Sequence, residues 1–139
     1  MQAGVKLYIS NQALNRQTIL SKIHETIVET DASVEAFVEP MMGNEMIVYK
    51  CKGMMKYGLA SMKNYMTFHV LPIYGSKSLF TKYKLLLDRA SFQKGCINFN
   101  NENEMPMDIV LMLLNDCSKI DLLRIREDYL KTKKSQNKN

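Results

Sequence analysis

Leu20, Ile23 and Ile27, with Ile19 beside them, recur at helical spacing, so the chain from about Asn11 to Glu29 reads as an amphipathic helix. Thr30, Asp31 and Ser33 supply its end and a cap for a short second helix, in which Glu35 and Glu39 lie four apart before Pro40. From Glu45 the period changes to two. Met46, Val48 and Lys50 alternate with Ile47, Tyr49 and Cys51; Gly53 offers the positive φ of a tight turn, and Met55, Tyr57 and Leu59 begin a return strand. A second turn at Lys63-Asn64 leads into Tyr65 to Leu71, with Met66, Phe68 and Val70 on one face and Tyr65, Thr67 and His69 on the other. Gly58, inside the middle strand, marks a bulge or a close backbone approach.

Beyond Pro72, Leu79, Phe80, Tyr83, Leu86 and Leu87 form another amphipathic helix, with Ser76 or Ser78 as its cap. Cys96 to Phe99 reads as a further short strand, and Asn98 to Glu104 as a turn leading to Pro106. Met107 to Cys117 is the strongest apolar helix; Leu122, Leu123, Ile125, Tyr129 and Leu130 continue in helical spacing. The expected fold is α+β: an antiparallel sheet of about four to five strands with a β-meander, covered by N-terminal, middle and C-terminal helices. Residues 1–130 make a single domain, which at this length buries roughly two-thirds of its unfolded surface.

Charge sharpens this picture. The net +5 is mostly a tail, because residues 131–139 hold four lysines and no acid; such a basic polar end is expected to be disordered. Nucleic-acid binding is not expected, since no helix-turn-helix, zinc-finger or aromatic-basic motif accompanies the charge. Inside the domain, Ile23 to Tyr49 contains no Lys or Arg while Glu25, Glu29, Asp31, Glu35, Glu39 and Glu45 give it −6. Such an oxygen-rich segment is either a solvated acidic face or a weak site for a hard cation such as iron or manganese. Glu25, Glu29, Asp31, Glu35 and Glu39 are its candidate metal ligands.

Cys51, Cys96 and Cys117 are odd in number and widely spaced, which argues against a disulfide framework or a zinc knuckle and for reduced thiols. With His24 and His69 as the two histidines, spacing alone establishes no thiol–imidazole pair, and no catalytic constellation emerges. Seven of the 11 methionines fall between Met41 and Met66; their strand spacings follow packing alternation, which favours adaptable core filler over a soft-metal motif. Without a signal-like start or an apolar run of membrane-spanning length, a cytoplasmic location and no membrane partner are expected.

The order of an amphipathic helix, then YKCKGMMKYGLASMKNYMTFHVLPIY, a helix, KGCINF and a Pro-initiated helix resembles the YdhG-like domains of unknown function. This bacterial superfamily includes a frataxin-like intracellular iron chaperone. The resemblance covers about residues 15–120 and rests on Lys52-Gly53, the Tyr57-to-Lys63 strand, Lys94-Gly95 through Phe99, and Pro106; it departs at Glu39-Pro40-Met41-Met42-Gly43. It implies an iron-binding or iron-delivery accessory protein with no required cofactor beyond weakly bound iron, working with iron-sulfur or haem-assembly proteins. The alternative, drawn from the residues, is a non-catalytic module that binds a protein or small ligand on the exposed sheet face at Tyr65, Thr67 and His69. Neither expectation is of an enzyme.

Overall fold

The computed structural model describes residues 1–41, 43–122, 124, 126, 130 and 131. Among these, six strands form one antiparallel sheet in the order β1-β2-β3-β4-β6-β5. Two helices precede it, α1 (Ala3–Ser10) and α2 (Leu14–Thr30). The strands β1 (Glu35–Met41), β2 (Asn44–Cys51), β3 (Met54–Ser61) and β4 (Met66–Val70) then run consecutively, so each pairs with its chain neighbour. A single turn, α3 (Leu71–Tyr74), and α4 (Lys77–Leu86) follow, with Ser76 capping α4 by accepting from the Leu79 N–H at 3.3 Å. The hairpin β5 (Ser91–Gln93) and β6 (Cys96–Phe99), a 3-10 turn (Glu102–Glu104) and α5 (Met107–Ser118) complete the fold.

The fold is thus α+β as expected, with the meander inside an antiparallel sheet of six strands where about four to five were expected. At the β2–β3 turn, Lys52 and Gly53 take φ of 49° and 80°, the two positive values that a two-residue primed turn demands. One expectation is overturned: Glu35 and Glu39 lie on an edge strand, not on a short helix. Val34, Ala36 and Val38 alternate and pack against the core, a period-two signal that outweighs the four-residue spacing of the glutamates. Pro40 is tolerated because β1 is an edge. Helix α1, whose Val5, Tyr8 and Ile9 are buried at i, i+3, i+4 spacing, and strand β5 are further elements that sequence patterning did not yield.

One core lies between the sheet and the helices. Ile19, Leu20, Ile23 and Ile27 of α2 and Val110, Leu113 and Leu114 of α5 meet Ile47, Tyr49, Tyr57, Leu59, Phe68 and Ile97 from the strands. Polar groups inside it are satisfied. His24 Nδ1 and the Tyr49 hydroxyl lie 2.7 Å apart, and burial keeps the imidazole below its ordinary pKa. The register shifts between Tyr49 and Lys50, so that Tyr49 faces Tyr57 and Lys50 faces Met55. Lys56 is the extra residue of this bulge, and the bulge re-aims it into the core. There its ammonium meets Asp31, at the end of α2, at 2.8 Å. Leu86 differs from expectation in being exposed, since the buried side of α4 is carried by Tyr83.

No helix of the described residues is long and apolar enough to cross a membrane. The proposed basic tail lies outside the described residues from 132 onward, as do Leu123, Ile125 and Tyr129 of the continued C-terminal helix.

Candidate functional site

Every second residue of the strands points away from the helices, and these residues form the opposite face of the sheet. Register determines which of them become neighbours. Phe37 faces Val48, Val48 faces Gly58, Gly58 faces His69, and His69 faces Cys96. A second rank joins Ala60 to Thr67 and Thr67 to Asn98. In the middle of both ranks β3 contributes its smallest residues, Gly58 and Ala60, so the face has a depression there. Met41, Met55 and Met62 close over Met46, Val48 and Ala60, which are buried beneath them. A Cβ at Gly58 would stand 2.6 Å from Met55 Cε, 3.1 Å from Met46 Sδ and 3.4 Å from His69 Cβ. The missing side chain is therefore the space into which the thioethers fold.

The result is a cavity of about 160 Å³. Met41, Met46 and Met62 line one side, and Tyr65, Thr67, His69, Cys96 and Asn98 the other. All three residues expected on the exposed sheet face are here: Thr67 is buried, His69 half-buried, and Tyr65 open at the rim. The structure adds Cys96. As the residue opposite His69, its Sγ lies 2.9 Å from His69 Nδ1, with the Tyr74 hydroxyl 3.7 Å from the same sulfur. Burial depresses the His69 pKa and so favours the neutral imidazole; the direction of its hydrogen bond with the Cys96 sulfur follows the ring tautomer. Cys117 is a different kind of thiol: fully buried in the core, its pKa is pushed up to about 12 by desolvation.

The carboxylates do not gather. Glu25 and Glu29 are exposed on α2, Glu35 is exposed on β1, and Glu39 pairs with Lys50 at 2.6 Å. Asp31 is buried and fully engaged: besides Lys56 it accepts from the Tyr57 hydroxyl at 2.7 Å and from the Ser33 hydroxyl and N–H at 2.5 and 3.1 Å. Burial alone would raise its pKa, but hydrogen bonds from Lys56, Ser33 and Tyr57 together outweigh it and hold the carboxyl below its usual value. Its counter-charge, Lys56, comes from outside the acidic segment, as does Lys50 for Glu39. Among the described residues, no three His, Cys, Asp or Glu side chains come together to hold a metal ion.

Cys96 and the thioether wall were not apparent from sequence. The alternation that exposes Thr67 and His69 equally exposes Cys96 and Asn98, but placing them opposite one another requires the β4–β6 register, and helix α4 intervenes between those strands. No family model, curated protein or solved structure matches this chain.

Proposed function

We propose that the protein is a binding module whose site is the cavity on the side of β2, β3, β4 and β6 that faces away from α2 and α5, and whose ligand is a small, largely apolar molecule. The observation that carries this reading is the cavity itself, walled by Met41, Met46 and Met62 and edged by Tyr65, Thr67, His69 and Asn98. Its volume of about 160 Å³ is close to that of an engineered apolar cavity, about 150 Å³, that accommodates benzene. Flexible thioethers adapt to a guest at little cost, while a few polar groups at the rim fix its orientation.

An iron-handling role through Glu25, Glu29, Asp31, Glu35 and Glu39 has the sequence resemblance in its favour and less geometry. Asp31 is committed to Lys56, and Glu39 to Lys50. The sheet-face reading is the better supported of the two.

Calorimetric titration with p-cresol and indole tests it. Ligands of this size are expected to bind with dissociation constants on the order of 0.1–1 mM. Asn98→Trp, which places an indole in the cavity from a half-buried position, should abolish the heat while leaving the circular dichroism unchanged. Equal binding by the wild type and the Trp variant, or binding by neither, would remove the cavity as the site.

A further inference from the structure

The same cavity contains a donor set that its apolar character does not explain. Cys96 Sγ and His69 Nδ1 face each other at 2.9 Å, and three thioethers, Met41, Met46 and Met62, line the same space. No carboxylate lines it. Met46 Sδ and His69 Cβ lie 3.1 and 3.4 Å from the point where a Gly58 Cβ would stand, so the two residues border the same glycine. Met46 is almost fully buried, so its sulfur is held rather than free to wander.

We infer that this cavity binds a soft monovalent metal ion, Cu(I), through Cys96, His69 and Met46, with Met62 or Met41 completing the shell. Thiolate and thioether sulfur select soft ions, whereas hard cations such as Mg(II) or Mn(II) favour carboxylate oxygen, and the oxygens lining this cavity are neutral hydroxyls and amides. One thiolate, one imidazole and neutral thioethers match the low charge and low coordination number of Cu(I). Zn(II) wants four charged or strongly basic ligands, and no third His, Cys, Asp or Glu joins this pair among the described residues.

Cys96 would bind as the thiolate and His69 through an unprotonated ring nitrogen. Metal–sulfur and metal–nitrogen bonds of about 2.3 and 2.0 Å oblige the S···N pair to open by under about 1 Å, a movement that a half-buried cysteine side chain on a strand next to the β5 edge can make. In the sequence, methionine spacing pointed to packing; folding brings part of that packing set beside a thiol and an imidazole. The inference rests on the cavity proposed above as the site, and goes beyond the apolar ligand.

The test is anaerobic titration of the full chain with Cu(I) against the chromophoric chelator bicinchoninate, with p-cresol binding measured on each variant as an independent report on the cavity. Wild type should retain one Cu(I). Cys96→Ser and His69→Ala should each weaken retention by roughly tenfold or more, and Met46→Leu should weaken it severalfold. Cys51→Ser, distant in the register, should match wild type. Wild-type affinity in Cys96→Ser, loss of binding in Cys51→Ser, or indifference to Met46→Leu would overturn the inference. If those results came with p-cresol binding intact, the apolar-ligand reading would survive; loss of p-cresol binding in wild type would instead remove that reading.

Discussion

Replacing Asp31 by Ala should be among the most damaging changes available on the polar side of this core. Lys56 and Asp31 are almost wholly buried, at 3% and 2% side-chain exposure, so no water compensates when one partner is removed. Asp31→Ala strands a buried ammonium and also orphans the Tyr57 hydroxyl and the Ser33 donors. Breaking a buried pair in this way costs about 3–5 kcal/mol. For a chain of this length that is a fall in melting temperature of roughly 10–20 °C. Lys56→Met should cost less, because the carboxylate keeps Tyr57 and Ser33. The double variant Asp31→Leu/Lys56→Met should recover most of the loss, since a buried pair exchanged for apolar residues of similar volume is often neutral. Urea unfolding of the wild type, Asp31→Leu, Lys56→Met and the double variant closes the cycle. A loss below about 1 kcal/mol for Asp31→Ala, or single effects that simply add, would refute the claim that the bulge delivers Lys56 to Asp31 inside the core.

Other expectations follow from the same coordinates. Leu59→Asp puts an unpaired charge at a fully buried position of β3 and should cost more than about 4 kcal/mol, seen as insoluble protein or a collapsed urea midpoint; an unchanged midpoint would contradict the placement of the meander. Gly58→Ala should be tolerated at about 1 kcal/mol or less, because what its Cβ meets are the ends of Met55 and Met46, while Gly58→Val should cost about 1–3 kcal/mol, read from the urea midpoint. Burial depresses the folded-state pKa of both His24 and His69 below 6.5, so their contribution to stability is present above that value and is lost as pH falls through the folded pKa values. Melting temperature should therefore fall between pH 7.5 and pH 5, less steeply in His24→Leu; a slope unchanged in that variant would count against a neutral, buried His24.

Local pattern was enough for the centre of the sheet. The turns at Gly53 and Asn64, and the alternation from Met46 through Val70, specify β2, β3 and β4 without tertiary information, and Ser76 marks the start of α4. Edge elements were harder to read. In β1, glutamates four apart mimic a helical face while only Val34, Ala36 and Val38 report the strand, and β5 is three residues long. The bulge that turns Lys56 inward has no local signature, because it depends on how β3 registers against β2. For the site, alternation sufficed to put Tyr65, Thr67 and His69 on one face. Finding Cys96 and the methionines needed the pairing of β4 with β6 and the small residues Gly58 and Ala60 between larger neighbours.

Methionine methyl spectra test the central claim most directly. In protein labelled with ¹³C at the Met ε-methyl, added p-cresol should shift the Met41, Met46 and Met62 signals by ring current and leave Met105, packed in the helix-covered core, unmoved. Uniform shifts across all methionines, or shifts confined to residues outside the cavity, would contradict a binding site on the open face of the sheet.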